Sequence, residues 1–266
     1  MLLRRDGDAV IAIGQPAHAW VSGQIARAWG GVDFGAPDPW EEVCLAAEQH
    51  DAGMAEWDAA PALNRDTGLP QSFIEMPVDV HAALWARAWE RVLPQSRYAA
   101  LLVSMHGTSL YEMRDLNELS GRDARLVRDF LAGQRAVQGQ LIDGLRADPL
   151  TAPFADDDAL ARNRRLIWIW DAFSLAVCLE WAPHTLCGVP AAAGRVDVEL
   201  TPGAAARSVD VDPWPFAAER VSVRCEGRRL AGRYGHEDEM RAALDAAEWV
   251  TLEFELVPGA AVNSGQ

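Results

Sequence analysis

Histidine and aspartate residues stand at four places in otherwise apolar, helix-like segments of the sequence. His18 and His106 have hydrophobic neighbours at helical spacing, Asp171 lies in a run of tryptophan, isoleucine and leucine, and His50-Asp51 ends a helical segment. A buried ionised carboxylate is costly unless it is paired or bound to a metal. Zn, Mn and Fe all accept mixed nitrogen and oxygen ligands. The residue types therefore predict one metal site.

Each of these residues also has a simpler interpretation. A single histidine on an apolar helix face, such as His18 or His106, is more often a hydrogen-bonded core residue than a ligand. Asp171 could instead form an ion pair with Arg164 or Arg165. The order of the residues favours the metal, because a helical His, a His-Asp pair and a later helical Asp, each on its own helix, form the pattern of HD-domain metalloproteins.

The elements that would position these residues are mostly helices. Apolar periodicity predicts helices at about 16–29, 40–49, 78–93, 97–111, 122–146, 157–181 and 237–248. A hairpin is predicted over residues 1–13, where Asp6-Gly7-Asp8 separates two apolar runs. Alternating or β-branched residues predict strands at 196–200, 208–212, 220–225 and 250–257.

These elements predict a mainly α fold, with an HD-domain-like helical core and a small antiparallel β layer, α+β overall. We expect two units. Residues 1–183 form a helical domain with the N-terminal hairpin, and residues 184–266 form a β-rich appendage packed on it. Residues 260–266 are expected to fray.

Composition narrows the classes of partner. The 266 residues carry a net charge of −15, and all 24 basic residues are arginine. So acidic a chain repels phosphate backbones and anionic membrane surfaces, so we expect neither nucleic acid nor a membrane as partner. The four cysteines form no CxxC pair, which predicts that they are reduced. No apolar leader is apparent, and we therefore expect a cytoplasmic protein. The oligomeric state stays open, with a homodimer allowed.

The chain resembles a bacterial family called "domain of unknown function 3891". The segments that carry the resemblance are residues 15–19 (QPAHA), 50–53 (HDAG), 56–61 (EWDAAP), 73–77 (FIEMP), 98–106, 170–171 and 212–216 (DPWPF). The resemblance covers nearly the whole chain. The family has no established activity. The resemblance therefore indicates candidate site residues but no reaction.

The HD-like resemblance implies His18, His50, Asp51 and Asp171 as ligands of a divalent Fe, Mn or Zn ion. It implies His106 as a ligand of a second metal or a contact to substrate.

Three further residues are candidates for catalysis. Asp58 and Glu75 fall within the resembling segments and could supply a general base, or be ordinary solvated carboxylates. Arg114 could hold an anionic substrate or form a surface salt bridge. His81, His184 and His236 match nothing comparable and are interpreted as surface residues or as supports of the ligands.

Three functions fit these residues. The favoured one is a metal-dependent phosphohydrolase acting on a small phosphoester or nucleotide, because a bound metal lowers the pKa of water and orients it. The second is a di-iron oxygenase of the HD-like type, with His106 in the second site. The third is a non-enzymatic protein with a structural ion or a binding role.

Overall fold

One curled, seven-stranded sheet forms half a barrel in the computed structural model, which describes residues 1–259. Its strands are β1 (Leu2–Asp6), β2 (Ala9–Ile13), β5 (His184–Ala191), β6 (Gly194–Pro202), β7 (Ser208–Asp212), β8 (Val221–Ala231) and β9 (Glu248–Pro258); β3 (Leu63–Asn64) and β4 (Leu69–Pro70) form a separate small hairpin. The order across the sheet is β1-β2-β8-β9-β7-β6-β5. Strands β7 and β9 run parallel and all other neighbours are antiparallel.

Eight α-helices accompany the sheet within the described residues. They are α1 (Gln15–Ala28), α2 (Trp40–Gln49), α3 (Ala55–Ala59), α4 (Val78–Val92), α5 (Arg97–Glu112), α6 (Gly121–Ala147), α7 (Asp157–Cys178) and α8 (Glu237–Asp245). Helix α5 is buried along nearly its whole length, as its all-round apolar sequence requires. Helices α1, α2 and α7 contact one another, and α5 packs on α2 and α7.

The predicted fold class is wrong about the sheet. The chain is 50% helical and 23% strand, so the structure is α+β with a substantial mixed sheet, not a mainly α core with a small antiparallel layer. Strand β5 was not predicted, because Gly188, at φ +64°, and a bulge between Leu186 and Val189 interrupt its alternation. The hairpin over residues 1–13 is confirmed.

The hairpin does not stand alone, because it extends the sheet built by the last third of the chain. Ala12 on β2 pairs with Arg228 on β8. Helix α1 follows β2 directly and packs on β8 as well. The Gln24 side chain pairs with the backbone of Arg224, accepting from its N–H at 3.0 Å and donating to its carbonyl at 2.8 Å. The position of α1 is therefore set by β8.

Two glycines allow close packing of α4 against α5 and against the turn after α2. A Cβ on Gly107 would lie 2.7 Å from the Trp85 ring, and a Cβ on Gly53 would lie 2.8 Å from the Ala88 Cβ. Both distances are shorter than van der Waals contact. Glycine at these positions lets α4 lie close to α5 and to the turn after α2.

The predicted fraying of residues 260–266 lies outside the described residues. Over residues 1–259, none of the helices combines the length and the apolar character that crossing a membrane requires.

Candidate metal centre

Four elements bring the predicted ligands to one point. His18 projects from α1, His106 from α5 and Asp171 from α7. His50 is the last residue in helical conformation after α2, and the backbone leaves the helix at Asp51, with φ −101° and ψ 17°. This break lets the neighbouring imidazole and carboxylate face the same centre, although regular helical geometry would separate them by about 100°.

The five side chains form a buried cluster. His18 Nε2 lies 2.6 Å from Asp51 Oδ2. Asp171 joins the other two histidines, with Oδ1 at 3.4 Å from His50 Nε2 and Oδ2 at 3.5 Å from His106 Nε2. None of the five residues is more than 8% exposed. The structure thus brings together all five residues that the sequence selected as ligands.

Hydrogen bonds outside the cluster orient two of the imidazole rings. His50 donates from Nδ1 to the Ala47 carbonyl at 2.8 Å, which turns its Nε2 inward, where that atom has no hydrogen-bond partner within residues 1–259. His18 Nδ1 contacts Ser174 Oγ at 2.9 Å, and this hydroxyl donates in turn to the Asp171 carbonyl. Metal-binding histidines are usually held in this way, with one nitrogen anchored and the other facing the ion.

The electrostatics of the cluster favour positive charge beside its two carboxylates. Burial alone would lower the pKa of His50, but the carboxylates of Asp51 and Asp171 outweigh it and raise that pKa to about 9. Burial would raise the pKa of Asp51, but the neighbouring histidines, His50 first, hold it well below its usual range. Burial would likewise raise the pKa of Asp171, and the imidazole of His50, with its Nε2 3.4 Å from Asp171 Oδ1, lowers it. The two buried carboxylates therefore remain ionised, and either a protonated His50 or a bound cation can balance their charge.

The donor atoms fit a metal ion. His18, His50 and Asp51 form one group, and His50, His106 and Asp171 form another; in each group the ligand atoms lie within 4.8 Å of one another. An ion bound at about 2.1 Å from each ligand spaces its ligand atoms roughly 3 to 4 Å apart. The unpartnered, buried Nε2 of His50 is also explained by such an ion. The buried His/Asp groups could therefore hold a metal ion.

A cavity of about 250 Å³ leads to the cluster. Its walls are partly apolar, with Phe73, Ile74, Leu110, Trp168 and Leu175 among the residues that line it.

The polar rim of this cavity carries Arg114. Its guanidinium lies 5.3 Å from the centre of the Tyr111 ring and forms no ion pair within residues 1–259. A free positive charge therefore stands near the entrance to the candidate metal centre.

Asp58 and Glu75 do not line this cavity. Asp58 is buried, lies 2.8 Å from the Met1 ammonium through Oδ1, and accepts the Gln15 backbone N–H. Glu75 accepts the Ser72 N–H at 2.8 Å in a capping box and the Asn64 side-chain amide at 2.7 Å. Both carboxylates have structural partners, and a catalytic role for either stays a prediction.

His81 lines the cavity, although no specific role is predicted for it from the sequence. The Trp85 indole can only donate, so at 3.1 Å it fixes His81 Nε2 as acceptor, and His81 Nδ1 donates to the Tyr111 hydroxyl at 2.6 Å. Burial, and secondly the charge of Arg114, lower the pKa of His81 to about 4. The sequence feature that indicates this contact is the i, i+4 spacing of His81 and Trp85 on a predicted helix. His184 and His236 lie outside the cavity.

The fold and the cluster define an α+β protein with a buried histidine and aspartate centre that could hold a metal. The chain belongs to the family described as "Protein of unknown function (DUF3891)", whose model matches residues 1–232. No curated protein and no solved structure matches the chain significantly.

Proposed function

We propose that this protein is a metal-dependent phosphohydrolase of the HD-like kind that acts on a small phosphoester or nucleotide. One observation carries the proposal. His18, Asp51 and Asp171 line a cavity that Arg114 also lines, and His50 lies behind them with its Nε2 3.4 Å from Asp171 Oδ1, so the residues that follow the HD-domain order along the chain meet at one place.

His18, His50, Asp51 and Asp171 would hold the ion, and His106 would face it or the substrate. A bound divalent cation supplies Lewis acidity and lowers the pKa of water toward neutrality. The chain itself holds the ligands in place through Ala47 and Ser174. Burial, followed by the charge of His50, lowers the pKa of His106 to about 4, so its ring is neutral, as a metal ligand or a hydrogen-bond acceptor must be.

The cavity supports a small substrate. A volume of about 250 Å³ is below the range of about 300 to 1,000 Å³ typical of drug-sized ligands. Arg114 offers a planar set of donors suited to phosphate oxygens. The net charge of −15 disfavours a polyanion. A phosphomonoester or mononucleotide that inserts its phosphate end fits these limits best.

Metal content is the first test. Untagged wild-type protein should contain about one equivalent of Zn, Mn or Fe for a four-ligand site, and the His50→Ala, Asp51→Ala double variant should contain none. The matched control is His236→Ala, Asp238→Ala, which removes the same residue types from an exposed position and should keep the ion.

The metal-loaded protein is then assayed against a panel of phosphomonoesters and mononucleotides. Hydrolysis that the double variant loses supports the proposal. No metal in wild type, even after reconstitution, overturns it and leaves the five residues as a polar core.

The second ligand group favours one alternative, a di-iron oxygenase. His50, His106 and Asp171 are a second set of converging donors, and His50 is shared with the first set. Iron near two equivalents, together with oxygen consumption, would support the oxygenase. In that case His106→Ala should remove about half of the iron, whereas a single-ion protein should keep its ion in this variant.

A further inference from the structure

A second cavity lies between α5 and α7, beside the cavity that leads to the candidate metal centre. We call it the α5–α7 cavity; its volume is about 460 Å³, and its lining includes Met105, Ser109, Leu160, Arg164, Arg165 and Trp168. On both helices these residues recur every three or four positions, so each helix presents one face to it. This volume falls within the range of about 300 to 1,000 Å³ typical of small-molecule sites.

Trp168 lines both cavities and forms the boundary between them. Its ring centre lies 6.0 Å from that of His106 on the metal side. Neighbouring residues on α5 point about 100° apart, so Met105 lines the α5–α7 cavity and His106 lines the other. The two cavities are therefore adjacent but separately lined.

Some charged side chains that line the α5–α7 cavity form ion pairs, and others do not. Arg164 donates to Ser109 Oγ at 2.8 Å and forms an ion pair with Glu112. Asp157 is paired with Arg146 at 2.6 Å. The carboxylates of the lining thus already have arginine partners.

Arg165 and Arg195, by contrast, have no carboxylate partner within residues 1–259. Arg165 donates only to the backbone carbonyls of Cys187 and Gly188. The side chains of Arg165 and Arg195 approach the same point, since a Cβ on Gly188 would lie 3.3 Å from Arg165 Nη2 and 3.8 Å from Arg195 Cδ. The charge of Asp197 acts on Arg165, but within residues 1–259 Asp197 forms no ion pair with either arginine and accepts the Gly188 N–H at 2.7 Å.

We propose that the α5–α7 cavity binds a small amphipathic anion, whose carboxylate, sulfonate or phosphate group contacts Arg165 and Arg195. The apolar body of the ligand contacts Met105, Leu160 and Trp168. Two adjacent cations without acidic partners at the rim of an apolar cavity gain most from a ligand that carries both features. This site is independent of the metal and of the proposed hydrolysis.

A pair of fluorescent probes tests the site. The anionic probe is 8-anilinonaphthalene-1-sulfonate, and N-phenyl-1-naphthylamine has the same ring system without the charge. Arg165→Gln, Arg195→Gln should weaken binding of the sulfonate about tenfold or more and change binding of the neutral amine by less than about twofold. The control Arg125→Gln, Arg128→Gln removes two exposed charges from α6 and should change neither.

A blocking variant tests the apolar part. Ala161 is exposed on the rim of the cavity, so Ala161→Phe should fold normally, fill the entrance and abolish binding of both probes. Metal content should equal that of wild type in every variant. The proposal is overturned if the sulfonate binds the Arg165/Arg195 variant as tightly as wild type. It is also overturned if the Arg125/Arg128 control weakens binding equally, or if Ala161→Phe leaves binding intact.

Discussion

Replacing Asp51 by asparagine should remove the stabilisation that a divalent ion gives to the folded protein. Asp51 Oδ2 lies 2.6 Å from His18 Nε2 and 3.7 Å from His50 Nε2, so its charge lies at the centre of the ligand set. Asparagine has nearly the same shape but lacks the negative charge. The variant therefore separates loss of a ligand from loss of volume.

The expected size of the effect follows from ligand linkage. An ion at about 100 times its Kd stabilises the folded state by about 2.7 kcal/mol, and each kcal/mol shifts the Tm of a chain this large by about 2 to 4 °C. Wild-type protein stripped with EDTA should therefore gain about 5 to 11 °C when the ion is restored, and Asp51→Asn should gain almost nothing. The metal-free variant should also lose about 3 kcal/mol, because His18 loses a buried partner.

Thermal unfolding followed by circular dichroism measures both quantities, with Zn²⁺, Mn²⁺ or Fe²⁺ added to stripped protein. Glu118→Gln makes the same change of charge at an exposed side chain and should keep the full shift. The reasoning is refuted if wild type shows no shift with any of the three ions. It is also refuted if Asp51→Asn shows the wild-type shift.

Three further predictions address the cavity and the packing around it. Arg114→Gln should raise KM for a phosphoester about tenfold with kcat and metal content little changed, as steady-state kinetics would show; an unchanged KM would count against a phosphate contact. Because the pKa of His81 is lowered from 6.5 to about 4, the unfolded chain binds a proton there that the native protein does not, so stability falls as the pH drops through this window. Denaturant unfolding between these pH values should show a shallower loss in His81→Gln, by at most about 1.4 kcal/mol per pH unit, and identical slopes would contradict the assignment. Gly53→Ala should destabilise by about 1 to 3 kcal/mol because its Cβ would lie 2.8 Å from that of Ala88. Gly133→Ala, in an open position on α6, should instead stabilise by about 0.5 to 1 kcal/mol, and equal effects in denaturant melts would refute the argument.

The convergence of the candidate ligands could be predicted because its signals are local. Histidine or aspartate within an apolar helix, as at His106 and Asp171, is unusual wherever the rest of the chain lies, because burying such groups is costly. The His50-Asp51 pair was informative for the same reason, since a helix end changes the direction of successive side chains. The role of His81 was harder to predict from the sequence, because it depends on partners on two helices and on the shape of the cavity.

The sheet could not be predicted in the same way, because its pairings are between distant parts of the chain. Nothing within residues 1–13 indicates that β2 will pair with β8, and Gln24 binds the backbone of a residue 200 positions away. The bulge in β5 interrupts the alternation of apolar residues, so the pattern does not indicate a strand. The inward positions of β5, including Leu186 and Val189, are nevertheless fully buried. Sequence periodicity detects a strand that is regular, but it does not detect the partner of that strand.

The attachment of α1 to β8 has a consequence for how the protein is made. The helix that carries His18 is fixed against a strand that is synthesised some 200 residues later. Such distant contacts form late in folding. The centre is therefore completed only after translation of residues 221–231, and an ion can be captured with full affinity only after that point. A chain that stops early contains every proposed ligand and still lacks the geometry to retain metal.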